Sequence, residues 1–202
     1  MTLSLLLRRF LAASGVTAIV LVAAATPAAA HPGHEARLGG WLDGLLHPVS
    51  GFDHLVAMAA VGALAALTVR RLPVWSLPSA FLAGLVIGGG FGLAAWESGV
   101  VETVIAGSVL VLGVLVAAST RLPVGVWLVP AVAIAGFAHG NAHGLEAPTA
   151  AAPLPYVAGF VGATLALHAA GALAGLALRR FGVGRIAGGA AVAAFGATLL
   201  VA

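Results

Sequence analysis

The sequence predicts an all-α integral membrane protein, a signal peptide followed by a six-helix transmembrane bundle. Three observations carry that expectation. Hydrophobic residues make up 61% of the 202 residues and charged residues only 7%, with a mean hydropathy of +1.13, which excludes an ordinary soluble domain. The long Ala/Leu/Val/Gly runs lack period-two alternation, so helices rather than barrel strands satisfy the backbone in hydrocarbon. The apolar runs recur at nearly regular intervals, each close to the ~20 residues that cross the hydrocarbon core.

The elements follow in order. Arg8 and Arg9 precede an apolar run from Phe10 to Ala25, and small residues then lead to Ala30. This is the order of a secretory signal peptide, so residues 1–30 are expected to be cleaved, leaving His31 as the new terminus. The rival reading is an uncleaved first helix. Residues 31–47 are then a periplasmic segment, in which Leu38, Trp41, Leu42 and Leu45 have the spacing of an apolar helical face. That pattern fits either a short helix at the membrane surface or an irregular lead-in to the first span.

Residues 48–202 form the transmembrane domain. Its spans run roughly over 48–69, 75–95, 101–119, 124–143, 155–178 and 184–202. Pro48 suits the first turn of a helix and disfavours helical geometry at His47, so the first span is expected to start there. Arg70, Arg71, Arg121, Arg179, Arg180 and Arg185 fall in alternate loops, and Glu97, Glu102 and Glu146 in the others. The positive-inside rule makes the arginine loops cytoplasmic, which puts both mature termini in the periplasm of a bacterial inner membrane. A division into two three-helix halves, inverted repeats relating the first and fourth spans, fits the positions of their histidine motifs. The similarity of R71-L-P-V-W75 to R121-L-P-V-G-V-W127 pairs the second span with the fourth instead.

Composition also narrows the chemistry. All nine basic residues are arginine and form no block or stripe, so no nucleic-acid partner is expected. Cysteine is absent, which excludes disulfides, thiolate metal sites and cysteine catalysis. No G-x-S-x-G elbow and no P-loop occur, so neither a serine hydrolase nor ATP coupling within the chain is expected.

Against this apolar background stand seven histidines. Five of them fall in H47-P-V-S-G-F-D53-H54 and F137-A-H139-G-N-A-H143-G-L-E146 or deep in a span, as His168 does. Ionisable side chains in membrane segments are costly and mark substrate or ion pathways. Imidazole with carboxylate is also the ligand set of a borderline divalent transition metal. In the first motif, continued helical geometry would put His47, His54 and Met58 on one face, with Asp53 about 100° away. Asp53 then either ligates the ion or orients an imidazole, and Met58 either packs or ligates. In the second, His139 and His143 are one helical turn apart, a spacing that lets two imidazoles converge on an ion. Glu146 could join them, although Gly140, Gly144 and Pro148 make a broken or ending helix the expectation. The predicted topology brings both motifs to the periplasmic side, the strongest argument for one composite site.

His168 is read either as an inner relay or as a hydrogen-bonding group between helices. His31 and His34 either collect metal at the mature terminus or serve no metal role. An intramembrane metalloprotease lacks its general base, because Gly140 stands where H-E-x-x-H has glutamate.

The pattern H-x5-D-H from His47 to His54, together with Phe137 to Glu146, resembles the HupE/UreJ family of nickel or cobalt permeases. The resemblance spans the mature chain and implies uptake of Ni²⁺ or Co²⁺ for maturation of hydrogenase- or urease-type metalloenzymes. It implies metal-binding roles for His47, Asp53, His54, His139, His143 and Glu146, with the ion as transported substrate, no tightly bound cofactor and no enzyme activity. Maturation proteins are the partners it suggests, besides the metal ion and the lipid bilayer. Two departures stand out: Ala138 separates Phe137 from His139, and Asn141 occupies a place where the family motif often has a third histidine. The alternative from a different class is a haem-binding electron-transfer membrane protein, with His139 or His143 paired to His168.

Overall fold

The computed structural model describes residues 40–68, 72–119, 125–147 and 153–202. The expected signal peptide, His31 and His34 lie outside the described residues, as do Arg70, Arg71 and Arg121. Among the described residues the chain is all helical: α1 (Gly40–Ser50), α2 (Phe52–Thr68), α3 (Ser76–Leu93), α4 (Val101–Ala118), α5 (Leu128–Leu145), α6 (Pro153–Leu178) and α7 (Gly182–Val201). Helices α3 to α7 occupy the second to sixth expected spans.

Not every expected span is apolar enough to be counted as one. α3, α4, α6 and α7 are long and apolar enough to cross a membrane, and α1 with α2 qualifies as a fifth only as a broken pair. α5 has 18 residues but carries two imidazoles and the Asn141 amide in its second half. The elements that fall short of a simple apolar span are thus the ones that carry the histidine motifs.

The first span departs from expectation. Instead of starting at Pro48 and running straight, the chain forms α1 through His47 and Pro48 and then bends by 83° into α2. Pro48 has no amide hydrogen to give the Gly44 carbonyl, and its ring crowds that carbonyl, so the helix ends two residues later. The Ser50 hydroxyl closes this end by donating to the His47 carbonyl at 2.7 Å. His47 therefore does not share a helical face with His54 and Met58. Met58 is fully buried in the apolar core with Val61, Leu64 and Phe81.

α1 also buries a different face from the one its hydropathy suggests. Trp41 and Leu42 are exposed, while Gly44, His47 and Pro48 are buried. Backbone approach decides this: a Cβ at Gly44 would strike the Tyr156 carbonyl of α6, and one at Gly159 would strike the Trp41 carbonyl. In lipid the apolar side chains gain nothing by leaving the surface, so close packing of small residues selects the contact face.

The tightest helix pairs are α3 with α5, α4 with α7, and α2 with α6. Their register repeats. A Cβ at Gly88 would meet the Phe137 carbonyl as one at Gly171 would meet that of Ala59. Gly140 faces Leu85 as Gly62 faces His168, and Gly113 faces Ala193 as Gly196 faces Leu110. Exchanging α2 with α5, α3 with α6 and α4 with α7 carries each contact onto its counterpart. The packing is that of two three-helix halves, with α1 outside the repeat.

α3 ends in a turn that bears on the site. Ala95 adopts φ 58°, its amide bonds the Gly92 carbonyl at 2.8 Å, and the Trp96 amide bonds that of Phe91 at 3.0 Å. This is the reverse-turn helix stop that usually employs glycine. The exposed Trp96 carbonyl accepts a 2.9 Å hydrogen bond from Asn141 Nδ2, tying the end of α3 to the middle of the second histidine motif.

Candidate metal centre

Three chain segments converge on one cluster of imidazoles. α1 delivers His47 from its last turn, α2 delivers Asp53 and His54 in its first turn, and α5 delivers His139 and His143. Glu146 follows at the end of α5, where its amide still bonds the Ala142 carbonyl at 3.0 Å. The glycines around the second motif let α5 lie directly on the α3 backbone, because a side chain at Gly136 or Gly140 would collide with a carbonyl there.

The cluster has two adjoining parts. In the first, His47, His143 and Glu146 each offer one ligand atom, and these atoms lie within 4.8 Å of one another. Glu146 Oε2 is 3.5 Å from His47 Nε2, and the His47 and His143 ring centroids are 4.6 Å apart, edge to face. In the second, His54 Nδ1 and His139 Nδ1 approach to 2.8 Å. The His54 ring joins the parts, with its centroid 3.9 Å from that of His143. Asp53 Oδ2 faces the other nitrogen of His54 at 3.6 Å.

A chain of hydrogen bonds links the helices: the Ser108 hydroxyl of α4, 2.7 Å from the Ile105 carbonyl, lies 3.0 Å from His139 Nε2, and His139 Nδ1 in turn shares one hydrogen with His54 Nδ1 at 2.8 Å. The four histidines of the cluster are buried; Asp53 and Glu146 are half-buried.

All six residues expected from the two motifs are thus brought together, through a bend that sequence reading did not foresee. His168 is buried on α6 and stands apart from the cluster, its ring against Phe81. Met58 belongs to the apolar core, and His31 and His34 lie outside the described residues. Phe137, set back by Ala138, packs with Phe91 and Trp96 at centroid distances of 5.6 and 6.0 Å. Asn141, in place of a further histidine, braces the α3 turn. Ser108, Tyr156 and Phe160 were not singled out from the sequence. Tyr156 and Phe160 wall the cluster, Phe160 lying 4.5 Å from His143 and Tyr156 lying 5.8 Å from His47 by centroid. A hydroxyl amid the apolar residues that follow Thr103 in α4 was the only signal for Ser108.

Comparison with known proteins agrees with this architecture. The HupE / UreJ protein family model matches residues 19–199. Protein HupE of Rhizobium leguminosarum bv. viciae is 45% identical over 186 residues, covering 90% of this chain and 95% of that protein. No solved structure matches. A family match along nearly the whole chain, and a relative of this identity and coverage, establish that the chain belongs to the HupE/UreJ family.

Proposed function

We propose that the protein carries a divalent transition-metal ion, nickel foremost and cobalt as competitor, across the bacterial inner membrane into the cytoplasm. The ion would supply hydrogenase- or urease-type enzyme maturation. The observation that carries this reading is the convergence of His47, His143 and Glu146 beside the His54–His139 pair. The chain crosses six times in this reading, with the broken α1–α2 pair and α5 as the two polar spans and both mature termini periplasmic.

The ion first meets His47, His143 and Glu146, which replace part of its hydration shell. It then displaces the hydrogen shared by His54 and His139. Imidazoles and carboxylates without thiolate suit nickel, cobalt or zinc better than magnesium or calcium, and the family resemblance puts nickel first. Asp53 faces the far nitrogen of His54, the position of a group that orients an imidazole. Inward movement of a dication gains ~4.6 kcal/mol per 100 mV of inward-negative potential. A haem paired to His139 and His168 fits poorly, because the fully buried Phe81 ring packs against both imidazoles, at 5.6 and 5.4 Å by centroid.

The test is metal accumulation by cells expressing the wild-type chain or His54→Ala, assayed for nickel, cobalt, zinc and manganese. Nickel should accumulate most, cobalt next, and the variant should lose both. Equal nickel accumulation in the two strains would refute the proposal.

A further inference from the structure

His168 is the one buried histidine that the cluster does not use. Neither of its ring nitrogens has a hydrogen-bond partner among the described residues, although it is 3% exposed. A buried polar group left so is costly, and its retention calls for a role. One turn earlier on the same face of α6 lies Thr164, fully buried, whose hydroxyl donates to the Phe160 carbonyl at 2.9 Å. Its oxygen can still accept a hydrogen bond or ligate a cation.

α6 also measures depth. Phe160 touches His143, and His168 follows eight residues later on the same helix, about 12 Å further along the axis at 1.5 Å per residue. Between the two levels stands a single ring. Phe81 of α3 is fully buried, with its centroid 5.6 Å from that of His139 and 5.4 Å from that of His168. The backbones on both sides are held: a Cβ at Gly136 would strike the Phe81 carbonyl, and one at Gly62 the His168 carbonyl. A passage here that leaves the helices packed has to be opened at the Phe81 side chain.

We propose that His168, with Thr164, is the inner station on the ion's route and that the Phe81 ring is the gate between it and the His54–His139 pair. The inference rests on the transport reading above and adds the step that follows capture. With the ring in place, a dication at His139 meets an apolar barrier that excludes the water it needs, the way a hydrophobic constriction closes a pore. Turning the ring aside opens a path between imidazoles, and its quadrupole face can attract the passing cation. Selectivity then has two stages, because only an ion that exchanges imidazole ligands readily crosses.

The experiment uses the full chain in proteoliposomes with nickel as probe, measuring equilibrium binding and initial uptake separately. His168→Gln should keep nickel binding within about twofold of wild type and slow uptake by about tenfold or more. Phe81→Ala should bind equally, take nickel up several-fold faster, and admit more magnesium relative to nickel. Phe81→Leu, which keeps apolar bulk and suits the core, should give a smaller change in the same direction and decides the matter if the alanine variant does not fold. The gate is overturned if His168→Gln transports at the wild-type rate, or if folded Phe81 variants bind nickel normally and are no faster than wild type. Wild-type vesicles that accumulate no nickel would overturn the transport reading itself, and the gate with it.

Discussion

Gly140→Ala adds one methyl group between the two histidines of α5 and touches no ligand. The new Cβ would collide with the Leu85 carbonyl of α3. Carbon and carbonyl oxygen need about 3.3 Å or more, so α5 has to retreat from α3 by about 1 Å, at an overpacking cost of roughly 1–3 kcal/mol. His139 and His143 move with it. The 2.8 Å approach of His139 to His54 then opens by an amount several times the ~0.2 Å tolerance of a metal–nitrogen bond. Loss of one such bond should weaken nickel binding at least tenfold, or about 1.4 kcal/mol. Isothermal titration of the purified chain with nickel reads this, alongside its thermal unfolding midpoint. Gly107→Ala on α4 is the control, because a Cβ there meets nothing within 4 Å. Wild-type affinity in Gly140→Ala, or an equal loss in Gly107→Ala, would refute the link between backbone packing and ligand geometry.

Four other outcomes are expected. His54→Ala and His139→Ala should each abolish most nickel uptake, and the double variant should lose little more, since both act on one ion; additive losses in a double-mutant cycle would indicate separate sites. Asn141→Ala should lower stability by about 0.5–2 kcal/mol through loss of its 2.9 Å bond to the Trp96 carbonyl, read as a lower unfolding midpoint that is absent in an Asn141→Gln variant only if the longer amide still reaches. Ala95→Gly should raise stability by about 1 kcal/mol, because alanine at φ 58° carries a steric cost that glycine does not; an unchanged midpoint would count against the strained turn. Uptake should fall on acidification of the outside, since imidazole binds metal only in its neutral form and protonation removes the lone pair; uptake that stays flat down to the most acidic pH at which the vesicles remain sealed would mean the imidazoles are not ligands.

The helices α3 to α7 were legible because transfer of a side chain into hydrocarbon depends on that residue almost alone, and a run of such residues announces itself. The candidate residues were legible for the complementary reason: His47, Asp53, His54, His139, His143 and Glu146 are too polar for their surroundings to pass unnoticed. The bend at Gly51 was not. Pro48 is acceptable at the start of a span and equally able to end a short helix, and the choice depends on the close fit of α1 to α6 at Gly44 and Gly159. On α1 the apolar Trp41 and Leu42 stay exposed, as a helix lying at the membrane surface would have them, whereas Gly44, His47 and Pro48 were not legible as its buried face.

What the sequence by itself determined is therefore a helical membrane chain of this family with six candidate metal ligands in two motifs. Only the tertiary structure decided that His54 meets His139, that Ser108 hydrogen-bonds the latter, that Asn141 braces α3 rather than joining the cluster, and that Phe81 stands against His168. Those relations join residues on different helices, and in an apolar medium they are set by shape, close backbone approach and hydrogen bonding rather than by hydrophobicity. No one-dimensional pattern carries them, because each depends on which two surfaces fit.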